Sequence, residues 1–165
     1  MKEIKKQLLL GTKFLVKLFI YAVVIYLLTL FLKPQIEALT AIGSALVLNI
    51  LGISSSWSGN LVLFSGQSAK IVELCTGSLE LSILLGAILA TEDRSWRNRL
   101  WGMVFATIKL YVINILRVGV TLASAVWYGW EFADLIHTVL FKFFLLFAIV
   151  GIYAIWYLWL SNRIQ

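Results

Sequence analysis

The chain has 165 residues, 61% of them apolar, and a net charge of +6. Its length suits a single domain, and with a mean hydropathy of +0.94 its apolar content exceeds what a water-soluble domain can hide inside itself. The basic residues are spread over helix ends and one loop rather than gathered on one face, so the charge points to membrane topology and no nucleic acid partner is expected.

Lys2, Lys5, Lys6, Lys13 and Lys17 precede or open a first helix predicted over residues 14–32. It ends at Lys33-Pro34, because proline disfavours helix in the residue before it. No small-residue cleavage site precedes Pro34, so this helix is expected to be a retained anchor and not a signal peptide. The next stretch, 35–52, is apolar apart from Glu37 and Asn49. If it crossed the bilayer, the loop carrying Arg94, Arg97 and Arg99 would face away from the lysine-rich amino terminus. If it is interfacial or re-entrant, the amino-terminal lysines, that loop and Arg163 all fall on one side. The positive-inside bias favours the second arrangement.

Residues 54–74 are then expected outside. Ser54 to Gly59 reads as a loop, and Leu61–Phe64 with Ala69–Leu74 as a short β-hairpin turning at Ser65–Ser68. In its second strand Lys70, Val72 and Leu74 alternate against Ala69, Ile71 and Glu73. An isolated hairpin is marginal in water, so it must rest on the helices or on the membrane surface. Further spanning helices are predicted at 75–91, 100–126 and 134–160, the last capped by Asp134 and closed by Asn162-Arg163. The expected fold is an all-α polytopic membrane protein with four spanning helices, one interfacial or re-entrant helix and a short outer hairpin. It forms one domain in the cell membrane, over residues 1–165, with both termini cytoplasmic.

Under that topology three residues reach one depth near the outer face. Cys75, the only cysteine, opens the second spanning helix. Arg117 lies 17 residues beyond Leu100, or ~25 Å along the third helix at ~1.5 Å per residue. His137, the only histidine, falls in the first turn of the fourth. A thiol, an imidazole and a guanidinium at one level suit a nucleophile, a proton carrier and a charge stabiliser.

A helix amino terminus at Cys75, with Thr76 or Ser78 capping and Gly77 allowing a tight turn, would favour the thiolate. His137 could accept the thiol proton and return it to a leaving amine, and Asp134 on the same helical face could fix its tautomer. Arg117 could bind a developing oxyanion or a substrate carboxylate. Asn114, three residues before Arg117, could orient it. Glu80 is expected to pair with Arg117 or Lys109, since unpaired charges at that depth do not persist. With Lys142, these last residues read as structural support, and Trp127–Trp130 reads as an interfacial belt. No cysteine–histidine cluster points to a metal, and no cofactor is expected.

Each residue alone has an ordinary alternative. A lone cysteine fills apolar space, a histidine at a helix start serves the interface, and a shallow arginine snorkels. A non-catalytic membrane subunit, assisting protein export or polysaccharide assembly, would use all three for packing and ion pairing. A small transporter would use Glu80, Arg117 and Lys109 as a polar pathway, but no inverted repeat is visible.

The ordered set of Cys75-Thr76-Gly77, Asn114-Ile115-Leu116-Arg117 and His137 before a final apolar helix resembles the exosortase/archaeosortase family of membrane-embedded cysteine transpeptidases. The resemblance covers about Gly52 to Phe144, including the β-like segment before the cysteine and the basic loop between the second and third helices. It implies that Cys75 is the nucleophile of a triad with Arg117 and His137. It further implies membrane-anchored protein substrates, each with a carboxyl-terminal motif, a transmembrane helix and a basic tail. The cleaved acyl group would pass to a lipid or glycan acceptor of the envelope. Some archaeal members carry arginine at the position of His137, so this chain looks closer to the exosortase type there.

Overall fold

The computed structural model describes residues 2–139 and 143–160; Lys142 and Arg163 lie outside the described residues. Helix α1 (Lys2–Phe31) and helix α5 (Trp96–Tyr128) are long and apolar enough to cross a membrane. Helix α4 (Ser78–Ala90) and the stretch Leu145–Leu158 are apolar but shorter. At ~1.5 Å per residue α4 rises only ~20 Å, against a hydrocarbon core of ~30 Å. Two of the four predicted spans therefore have full spanning length. The outward faces carry Phe19, Leu28, Ile108 and Phe147, a surface suited to hydrocarbon rather than water.

Helix α1 stops at Leu32, and Pro34 lies in the first turn of α2 (Lys33–Ile50), where its missing N–H costs no helical hydrogen bond. The stretch predicted as interfacial or re-entrant is thus a regular helix. Its small residues press on α5. A Cβ on Gly43 would lie 2.7 Å from Ile115 Cγ2, and one on Gly119 would lie 2.4 Å from Val47 Cγ1. Backbones can approach this closely only over small residues. Leu39, Leu46 and Ile50 occupy the other face and stay exposed.

Glu37 and Asn49, the two polar residues of this otherwise apolar stretch, hold a sheet. Asn49 exchanges hydrogen bonds with the main chain of Ser55 at 3.2 and 2.9 Å. Glu37 accepts from Asn60 Nδ2 at 2.9 Å. The sheet is an antiparallel meander of β1 (Ser55–Ser58), β2 (Leu61–Phe64) and β3 (Gln67–Lys70). A hairpin was predicted; the Ser-rich segment supplies a further strand, paired with β2 from Ser55↔Phe64 to Ser58↔Leu61. Val62, Phe64 and Ile71 turn inward against Ala45, Leu48, Val118 and Leu122. The predicted alternation continues through 69–74, with Ile71 buried and Lys70, Val72 and Leu74 exposed, but strand pairing stops at Lys70.

The other half of the bundle packs Leu84 and Ile88 of α4, Ala106 and Leu110 of α5, and Leu145, Ile152 and Trp156 around one core. Here α7 (Leu145–Ile155) is followed by a π-helical turn, Trp156–Leu160. The basic loop closes this end. Arg99 donates to Leu89 O at 3.1 Å, satisfying a carbonyl at the end of α4, and to Arg94 O of the loop at 3.0 Å. Ser95 caps α5, which begins at Trp96 and ends at Tyr128 rather than at the predicted 100 and 126.

The predicted fourth helix, 134–160, starts earlier than expected. Helix α6 (Trp130–Val139) begins directly after Gly129, whose φ of +89° ends α5. Asp134 is therefore in the middle of α6, not at its amino-terminal cap.

Candidate functional site

Cys75 lies in α3 (Glu73–Thr76), a single turn in which its N–H donates to Val72 O at 2.7 Å. Gly77 then adopts φ +71°, a left-handed conformation that glycine accepts without a Cβ penalty. The break corrects the predicted helix over 75–91. Because α4 starts at Ser78, Cys75 lies in the preceding turn and not in the first turn of α4. Gly77 occupies the N-cap position of α4, and Thr76 Oγ1 accepts from the first α4 amide, Ser78 N–H, at 3.3 Å. The hydroxyls of Thr76 and Ser78 share a 2.7 Å hydrogen bond, and Thr76 Oγ1 also bonds Glu73 O at 2.7 Å.

Positive charge reaches the cysteine from α5. Arg117 is only 2% exposed. Its Nη2 donates to the main-chain oxygen of Cys75 at 3.2 Å and to Asn114 Oδ1 at 2.9 Å, while Nε donates to Asn114 Oδ1 at 3.2 Å. Asn114 Nδ2 donates in turn to the same Cys75 oxygen at 2.8 Å. Asn114 and Arg117 are one helical turn apart, which lets both reach one carbonyl. The cysteine turn is thereby fixed by two buried side chains, and Arg117 interacts electrostatically with both Cys75 and Glu80. Glu80 is half-buried and makes no ion pair among the described residues. Lys109 is exposed and sits over the Phe105 ring, 5.9 Å from its centroid, so the predicted Glu80–Lys109 pair is not formed.

A cleft of about 230 Å³ opens beside this unit. Cys75 contributes from α3, His137, Asp134 and Trp130 from α6, and Lys70 from β3. His137 is half-buried and interacts electrostatically with Arg117 and Asp134. The cleft thus brings Cys75, His137 and Asp134 together, with Arg117 and Asn114 bonded beneath the cysteine main chain. A larger, apolar cavity of about 310 Å³ lies against Thr76, Gly77 and Ser78. It contains neither Cys75 nor His137, so the smaller cleft is the candidate site.

Two contributions escaped the sequence reading. Glu73 ties the cysteine turn to the top of α1: its carboxylate accepts from Tyr26 Oη and, at 3.1 Å, from Lys33 Nζ. The hydrogen bond from Tyr26, then that from Lys33, holds the Glu73 carboxyl below the usual carboxylate range. A tyrosine near the carboxyl-terminal end of an apolar helix was the available signal, since its hydroxyl needs a polar partner. Lys70 was read as the outward residue of a half-buried strand, yet it also lines the cleft.

A family model described as transmembrane exosortase (Exosortase_EpsH) matches residues 6–160. No curated protein and no solved structure matches the chain.

Proposed function

Because the chain belongs to the transmembrane exosortase family, a family of membrane transpeptidase type, we propose that it cleaves the carboxyl-terminal sorting signal of secreted proteins through an acyl-thioester on Cys75. The observation that carries this reading is the meeting of Cys75, His137 and Asp134 in one cleft, above the bonds from Arg117 and Asn114 to the Cys75 carbonyl.

In the proposed reaction His137 takes the proton from the Cys75 thiol. The sulfur attacks the scissile carbonyl carbon, and the charge of Arg117 favours both the thiolate and the oxyanion that follows. The C–N bond breaks as the imidazolium returns its proton to the leaving amine. A hydroxyl or amine of a lipid or glycan acceptor then attacks the thioester, giving its proton through His137 to the departing sulfur. Asp134 steadies the imidazolium. Arg117 acts largely through the cysteine, whose main chain it holds, and Asn114 holds Arg117.

The membrane reading follows the charges. The basic loop at Arg94, Arg97 and Arg99 and the amino-terminal lysines face the cytoplasm. Counting ~1.5 Å per residue from Ser95, Arg117 stands ~33 Å along α5, at the outer face of a ~30 Å hydrocarbon core. The chain then crosses four times, with α4 and α7 as the short spans and α2, the sheet and α6 forming the outer cap.

The test is processing in cells. Secreted proteins ending in a short motif, an apolar helix and a basic tail should be shortened in cells carrying the native chain. In Cys75→Ser or Cys75→Ala cells they should keep their tails. Unchanged processing with Cys75→Ala would reject the nucleophile.

A further inference from the structure

The strand nearest the cysteine has an open edge. In the order β1-β2-β3, β3 pairs with β2 on one side only. Its hairpin turns through Ser65 (φ 46°) and Gly66 (φ 75°), the geometry of a two-residue type I′ turn. The closing pair Phe64↔Gln67 is then hydrogen-bonded, and the ladder alternates: Val62↔Ala69 is bonded, while Leu63↔Ser68 and Leu61↔Lys70 are not. The bond from Ile71 N–H to Asn60 O at 2.8 Å continues that alternation past the strand's end. The N–H and C=O groups of Ser68 and Lys70 therefore point away from the sheet. Among the described residues no main-chain hydrogen bond from another element meets them.

That open edge borders the cleft. Ala69, Lys70 and Ile71 all line it. Ala69 and Lys70, consecutive in β3, place their side chains on opposite faces, and both line the cleft, as expected where a strand presents its edge. Opposite stand Trp130, Asp134 and His137 of α6, and Cys75 lies at the downstream end. A free strand edge is ordinarily blunted or covered because it recruits other chains; here it is directed at the nucleophile.

We propose that the substrate's segment ahead of the scissile bond binds extended as a fourth strand on β3, pairing with the main chain of Ser68 and Lys70 and delivering its carbonyl to Cys75. The inference rests on the reading of Cys75 as nucleophile and names how the peptide is held. Main-chain pairing supplies affinity whatever the side chains, and alternate residues of the motif face the α6 wall, where specificity is set.

The experiment uses the full chain in lipid nanodiscs and two alkylating probes, with Cys75 modification followed by intact mass. One is the peptide chloromethyl ketone acetyl-Ala-Ala-Ala-CH2Cl, whose chloride the sulfur displaces; the other is iodoacetamide, which has no peptide to pair. A set of peptide probes carries one N-methyl group at each position in turn. The proposal expects N-methylation to slow alkylation about five- to tenfold at every second position and little between, the cost of a lost main-chain hydrogen bond. Lys70→Pro, which removes an edge N–H donor but keeps the carbonyl and the β2 ladder, should slow alkylation by the unmethylated peptide probe about five- to tenfold and leave iodoacetamide little changed. Equal rates for all N-methyl probes, with iodoacetamide still reactive, would overturn the strand pairing and leave the nucleophile standing. A Cys75 inert to both reagents would overturn the nucleophile, and the pairing with it.

Discussion

Arg117 Nη2 and the main-chain oxygen of Cys75 are 3.2 Å apart across 42 residues of sequence, and Asn114 bonds both partners. The arginine thus holds the backbone of Cys75 and interacts electrostatically with that residue. Lysine carries the charge but not the two-pronged donor set. Arg117→Lys should leave the chain folded and lower acyl transfer about 10- to 100-fold, the worth of one charge-assisted hydrogen bond. Arg117→Ala should cost more, because it also removes the charge. Turnover beside thermal unfolding in lipid separates the two effects; equal turnover in Arg117→Lys would limit the side chain to its charge.

Gly77 is where the cysteine turn and α4 part. Its φ is +71°, and a Cβ there would lie 3.3 Å from Asn114 Cγ and Oδ1. Gly77→Ala should cost about 1–2 kcal/mol for the left-handed backbone alone. It should also displace Asn114 from the Cys75 carbonyl. Activity should therefore fall further than stability does, by at least about tenfold, in the same two measurements.

The contact between α2 and α5 predicts a coupled pair. Gly119→Ala places a methyl 2.4 Å from Val47 Cγ1, an overpacking that should cost about 1–3 kcal/mol. Val47→Ala opens the space, so the double variant should recover part of the loss, with a coupling of at least about 0.5 kcal/mol. Strict additivity in denaturation would mean that the helices do not meet there.

Acid should loosen the cysteine turn. The hydrogen bonds from Tyr26 and Lys33 hold the Glu73 carboxyl low, so the ionised, tethered form is favoured in the folded chain. Its contribution is full above the ordinary carboxylate value of ~4.3 and is lost as pH falls through the lower folded value. Glu73→Gln should remove that dependence: below pH ~4.3 its loss of stability should be smaller than the native chain's. An identical acid profile in both would separate Glu73 from the anchor.

The candidate site residues are more legible in the sequence than how the chain holds them. Cys75, Asn114, Arg117, Asp134 and His137 stand out by type and spacing, and the structure gathers them. What escaped depends on backbone geometry and on partners distant in sequence. Ser55–Ser58 lacks the β-branched residues that signal a strand, and pairing with β2 decides its state. Cys75-Thr76-Gly77-Ser78 reads as a helix start until Gly77 is seen in the left-handed region. Trp130–Ala133 looks like belt and loop, yet it opens α6 and turns Trp130 toward the cleft. Glu37 and Asn49 interrupt an otherwise apolar stretch, and their partners, Asn60 and Ser55, lie in or beside a sheet distant from them in pattern.

The most direct test is labelling of Cys75 in intact cells with a membrane-impermeant thiol reagent, in the native chain, His137→Ala and Arg117→Ala. A nucleophile facing outward and coupled to both partners predicts labelling from outside, slowed at neutral pH by either substitution. Labelling only after the cytoplasm is opened, or equal rates in all three chains, would contradict the catalytic site and leave a membrane subunit whose cysteine merely packs.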